Sequence, residues 1–141
     1  MLGEDNFDFS FSGLKTAVLR EAEKLKKEKQ FNHLAIQQLA FEVQEAITDV
    51  LVIKTLRAVK KYHAPTLLLA GGVAANQRLT EKFKMKIENL PAGRQVDFRV
   101  PPPRLCTDNA SYIAAYAEYN YRPIPWKKIS ANPGLTITQT Y

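Results

Sequence analysis

Apolar and polar residues alternate through Phe7-Asp8-Phe9-Ser10-Phe11-Ser12, the period of two that predicts a half-buried strand. From Ser12-Gly13 the period lengthens. Leu14, Val18, Ala22 and Leu25 recur at helical spacing, with Ser12 expected as N-cap. Lys24, Lys26, Lys27 and Lys29 crowd the end of that helix, where cations complement its dipole. Asn32 is expected to cap a longer helix running to about Tyr62, with Leu39, Val43, Ala46, Val50 and Ile53 as its apolar stripe. A periodic segment of that length leaves two options open, one helix or two joined by a kink.

Pro65 stops this helix, and Thr66-Leu67-Leu68-Leu69-Ala70 is a short continuous apolar run. Such a run between breakers reads as a buried strand of a parallel sheet. Gly71-Gly72 turns the chain, and a helix is expected from near Asn76 to about Glu88. Pro91-Ala92-Gly93-Arg94 reads as a loop, Val96–Val100 as a strand ending at three prolines, and Thr107-Asp108 as the start of a last helix to about Asn120. Residues 1–122 are thus expected to form one folded lobe and 123–141, with Pro123, Pro125 and Pro133, a tail. Strands alternating with helices predict an α/β fold with largely parallel pairing and about three strands. Three is few for such a sheet. Either further strands from elsewhere or a covered edge is expected.

Composition narrows the class. The 141 residues suit one domain, and 45% hydrophobic with 24% charged residues is ordinary for a globular chain. No apolar stretch approaches the ~20 residues of a membrane span, and Met1–Phe9 has no basic region leading into an apolar run, so a cytoplasmic protein without membrane partners is expected. The single Cys106 excludes an internal disulfide and any multi-cysteine metal cluster. A net charge of +6 permits a nucleic-acid partner without requiring one.

In open α/β sheets ligands bind beyond the carboxyl ends of the strands. Three unusual stretches fall there: Ser10-Phe11-Ser12-Gly13, Gly71-Gly72-Val73-Ala74-Ala75-Asn76, and Leu105-Cys106-Thr107-Asp108-Asn109. Gly71 and Gly72 let the backbone pass close to a ligand, and Asn76 can hydrogen-bond a ribose or base edge; the same residues would equally make a turn and an N-cap. Asp108 is the candidate metal ligand or catalytic carboxylate, and capping would explain it as well. Parallel strands deliver Asn76 and Asp108 to one sheet edge, where they can face one cleft. His33 and His63 lack a paired ligand and read as surface or capping residues. Cys106 reads as a small buried thiol. The lysine-rich helix end reads as a solvated face or a polyanion contact, and Ser12 lacks the context of a serine nucleophile.

Taken in order, Phe9-Ser10-Phe11-Ser12-Gly13-Leu14-Lys15-Thr16-Ala17-Val18, Leu68–Leu79 around Gly71-Gly72, and Leu105–Ala110 closely resemble the tRNA threonylcarbamoyladenosine biosynthesis transferase family. Its members were formerly described as O-sialoglycoprotein endopeptidases. The resemblance implies a partial RNase-H-like lobe of the actin/Hsp70/sugar-kinase type. It implies transfer of a threonylcarbamoyl group from threonylcarbamoyl-AMP to N6 of adenosine 37 in tRNAs reading ANN codons. Gly71, Gly72 and Asn76 match the stretch that contacts the adenylate or an ATP-type nucleotide. Asp108 matches a carboxylate ligand of a divalent metal, usually iron (Fe2+), that acts as Lewis acid and template.

The family's N-terminal lobe and its His-x-x-x-His metal ligands have no counterpart in this sequence. The resemblance therefore implies a C-terminal part, inactive without that lobe in cis or trans. tRNA, and in bacteria a paralogous partner and a small ATPase, are the implied partners. The alternative is a non-catalytic nucleotide-binding or protein-interaction module of the same fold. Retention of Asn76 together with Asp108 favours the transferase, since a scaffold needs neither. The peptidase label has no supporting residue chemistry.

Overall fold

Residues 2–3, 6–91, 95–131 and 134 are described by the structure, a computed structural model. The expected loop at 92–94 and the tail beyond 131, apart from Gly134, lie outside them. Two units, Met1–Asp108 and Asn109–Tyr141, are distinguished.

In the first unit, α1 spans Ser12–Lys27. Leu14, Val18, Ala22 and Leu25 are its half-buried positions, the face that the period marks out. The helix closes on Lys29 in a left-handed conformation, φ 57°. Ser12 is not the N-cap. It is already helical, Phe11 stands at the cap without a side-chain bond, and Leu14 N donates to Phe11 O at 3.1 Å. The main chain thus closes the turn itself, and the Ser12 hydroxyl lies 3.1 Å from that of Ser10.

The long periodic segment forms one helix, α2, His33–Tyr62. Asn32 caps it as expected, its Oδ1 accepting from Ala35 N at 2.9 Å. His63 ends it at φ 52°, its N–H donating to Val59 O. The helix runs unbroken because it is held from two sides. Ala46 and Val50 share a groove with Leu14 and Ala17 of α1. Leu51, Val52 and Leu56 belong instead to the core on the other side. Of the stripe expected from periodicity, Ala46 and Val50 line the groove with α1, while Val43 lies with Val73 and Leu79.

The sheet has two strands among the described residues, β1 Thr66–Leu68 and β2 Asp97–Arg99, parallel with Leu67 opposite Phe98. α3, Gln77–Glu88, makes the crossover. Core packing centres on Val52, Leu79 and Phe83, with Leu67, Ile87 and Phe98 against them. The rings of Phe83 and Phe98 lie 5.4 Å apart, tilted by 35°.

The expectation of about three strands is corrected. Residues 7–11 join no ladder. Alternation makes a strand only where a neighbour offers backbone partners, and here the segment is tied to a helix. Lys54 of α2, with no exposed surface, donates to Asn6 Oδ1 at 2.7 Å and to Asp8 O at 2.8 Å. The two strands are also shorter than the apolar runs that announced them. Ladder bonds end at Asp97 N to Pro65 O and Leu69 N to Arg99 O, 2.9 and 3.0 Å.

The second unit contains α4, Ala110–Tyr119, and a 3-10 turn, Trp126–Lys128. Asn109 caps α4 by accepting from Tyr112 N at 3.2 Å, so the helix begins later than Thr107-Asp108. Among the described residues no helix is long and apolar enough to cross a membrane.

Candidate functional site

The stretch after β1 is built around a glycine that no other residue replaces cheaply. Gly71 has φ 87° and ψ 175°, a region essentially reserved for glycine. Its carbonyl accepts from Ala74 N at 3.0 Å, starting a single 3-10 turn, Gly72–Ala75. Asn76 N donates to Val73 O at 3.0 Å, and α3 begins at the next residue. Gly71 reverses the chain; Gly72 has no such requirement, and a Cβ there would meet nothing within 4 Å.

Asn76 is the N-cap of α3, its Oδ1 accepting from Leu79 N at 3.0 Å. That cap decides which end of the amide is the oxygen, because only an acceptor can face the Leu79 N–H. The amino group is then directed to α2, where Nδ2 donates to Gln44 Oε1 at 3.3 Å. Capping and ligand contact are therefore compatible: one N–H of Asn76 and both of Gln44 lie outside these bonds.

Two clefts adjoin this amide pair. One, of about 220 Å³, has apolar walls from Val43, Ile47, Val73 and Leu79, with Gln44 and Asn76 among its polar groups. That volume is below the ~300 Å³ of a typical small-molecule site, so it can take one ring of a ligand. The other, about 380 Å³ and open, is lined by Gln44, Asn76, Gln77, Arg78 and Glu81.

A charged clamp holds the first turns of α3 to α2. Arg78 donates to both oxygens of Glu45 at 2.6 and 2.9 Å, and the buried Lys82 pairs with Glu45 at 2.9 Å and Asp49 at 2.6 Å. The Arg78 hydrogen bonds, reinforced by Lys82, hold the Glu45 carboxyl at about 2, against an ordinary 4.5. Arg78 is pushed up in return, chiefly by its bonds to Glu45. Glu45 and Lys82 were not legible as partners, being 37 positions apart. Gln44 and Glu45 are two of several polar residues along α2, beside Gln37, Gln38, Glu42 and Asp49, and the sequence does not distinguish them.

Gly71, Gly72 and Asn76 thus share one loop. Asp108 lies apart from it in sequence, exposed in the bend after the 3-10 turn Pro103–Leu105, and lines neither cleft. Cys106 beside it is buried, its thiol 3.5 Å from Pro101 O. His33 and His63 stand at opposite ends of α2, about 45 Å apart at 1.5 Å per residue. Among the described residues, no three His, Cys, Asp or Glu side chains gather where they could hold a metal ion.

A family model, tRNA N6-adenosine threonylcarbamoyltransferase, matches residues 2–115, which include the glycine loop and Asp108. The chain belongs to this family. Relatives bearing the same name include proteins of Geobacillus thermodenitrificans, 41% identical over 96% of the chain, and Desulfitobacterium hafniense, 43% identical over 97%. The relative from Persephonella marina is 46% identical over 79% of the chain. The first two are covered over only 39% of their own length. The chain is therefore similar to part of a threonylcarbamoyltransferase.

Proposed function

We propose that the chain forms the part of a tRNA-modifying transferase that holds the adenylate, with threonylcarbamoyl moving from threonylcarbamoyl-AMP to N6 of adenosine 37 in tRNAs reading ANN codons. The observation that carries this reading is the family match together with the loop it covers. Gly71 brings the backbone past the sheet edge, and Asn76, its oxygen held by the cap, offers an N–H beside a cleft sized for one ring. The fold attached to this reading is the RNase-H-like lobe of the actin/Hsp70/sugar-kinase type. The site is completed by residues outside the chain, in cis or trans.

A divalent metal, with iron the expected ion, does not fit the described side chains by themselves. Asp108 would supply one carboxylate, the other donors coming from elsewhere, and such an ion would act as Lewis acid and template. Chemistry attributable to this chain is binding and orientation: an amide donor for the nucleotide, an apolar wall and a rigid turn.

The test is threonylcarbamoyl transfer to tRNA by the full protein. Asn76→Ala should weaken adenylate binding by about 1–3 kcal/mol, the scale of a lost buried hydrogen-bond partner. Asp108→Ala should abolish transfer. Unchanged affinity makes Asn76 a helix cap only, and unchanged turnover removes Asp108 from the site.

A further inference from the structure

A cap controls only the oxygen of Asn76; something else must control its amino group. The cap bond to Leu79 N engages Oδ1 alone, so the nitrogen end has an anchor of its own. Gln44 supplies it, Oε1 receiving Nδ2 at 3.3 Å. Gln44 is set on a 30-residue helix, and its neighbour Glu45 grips Arg78 and Lys82 of α3. Two consecutive residues of α2 therefore hold Asn76 at the end of the loop and Arg78 and Lys82 in the first turns of α3.

We propose that Gln44 is a positioning residue for the nucleotide, acting by locking the Asn76 amide so that its remaining N–H is held toward the cleft that both residues line. This rests on the adenylate reading above for the identity of the ligand, while the lock itself does not. Nothing in the sequence spacing announces the pair, since 32 positions separate them. The role asked of Gln44 is that of an acceptor. Methionine, of similar length, deletes it; glutamate preserves it.

The experiment uses the full protein with selectively 15N-labelled asparagine and leucine, and adenosine as the ligand, uncharged so that a carboxylate at position 44 adds no repulsion. In Gln44→Met the Asn76 side-chain amide protons should exchange at least about fivefold faster, on the scale of one lost hydrogen bond. The Leu79 N–H should stay protected by the cap. Unchanged Asn76 exchange overturns the lock.

For adenosine, Gln44→Met should weaken affinity about five- to tenfold, Gln44→Glu should stay within about twofold of the parent, and Gln44→Met combined with Asn76→Ala should bind no worse than Asn76→Ala alone. Losses that add in the double variant would show Gln44 touching the nucleotide itself, which overturns the positioning role. A lower melting temperature with unchanged affinity would make the pair merely structural and overturns it too. If Asn76→Ala leaves adenosine affinity untouched, the adenylate reading fails separately, and amide exchange still decides the lock.

Discussion

Replacing Gly71 and Gly72 one at a time by alanine separates backbone geometry from space. At neither position would an added Cβ meet an atom within 4 Å, so any difference between the variants is torsional. Gly71 sits at φ 87°, ψ 175°, where a residue with a Cβ is strained by about 1–3 kcal/mol. Alanine also restricts the unfolded chain, which returns about 0.4–1 kcal/mol. The net for Gly71→Ala then runs from about zero to a destabilisation of about 2.6 kcal/mol, and the gap between the two variants is the strain itself, about 1–3 kcal/mol. For Gly72→Ala only the unfolded-state effect remains, and the variant should match or exceed the parent by up to about 1 kcal/mol.

Urea denaturation followed by circular dichroism gives both, provided the slope is unchanged while the midpoint moves. Adenosine affinity should follow the same order, because strain at residue 71 is relieved through the turn that carries Asn76. Equal stability of the two variants would refute the reasoning, and with it the claim that the loop is shaped by its first glycine.

Other consequences follow from the same contacts. Glu45 has a folded pKa below its unfolded one, so the unfolded state binds more protons; its contribution is present above about pH 4.5 and is lost as pH falls toward 2. Denaturation midpoints across that window should fall less steeply in Glu45→Gln than in the parent. Phe83→Ala, at 2% exposure and with its ring tilted against Phe98, should cost about 3–5 kcal/mol in urea denaturation. Leu68→Ala, at 70% exposure, should stay within about 0.5 kcal/mol. Asn76→Asp keeps an acceptor for Leu79 N but no donor for Gln44, so calorimetry should show a melting temperature near the parent's and adenosine titration a loss of affinity.

Local signals in the sequence led to local structure. The caps at Asn32 and Asn76 and the spacing of Leu14, Val18, Ala22 and Leu25 are decided within one helical turn, so a linear reading reaches them. Thr66–Leu68 and Asp97–Arg99 were visible as apolar or alternating runs, but their length depends on the partner strand, which the run does not contain. Phe7–Phe11 shows the limit plainly: its alternation is strong, and a buried lysine 46 positions from Asp8 takes the carbonyl that a ladder would use. Ser12 failed as a cap because the preceding carbonyl already closes the turn.

The candidate site divides in the same way. Gly71-Gly72 and Asn76 stood out because glycine and asparagine have few other reasons to follow an apolar strand. Gln44, Glu45 and Lys82 did not, since each is an ordinary polar residue on a helix until the other helix is brought beside it. Asp108 stood out as a carboxylate beyond a strand end, at what read as a helix start, and the family resemblance gave it the metal role; the helix begins instead at Ala110, and Asp108 is exposed in the bend before it.

The most direct test of the central claim is the nucleoside content of tRNA from cells whose gene for this protein is deleted. N6-threonylcarbamoyladenosine, measured by mass spectrometry, should disappear, return with the parent gene, and stay absent with Asp108→Ala. A level unchanged by the deletion would contradict the account.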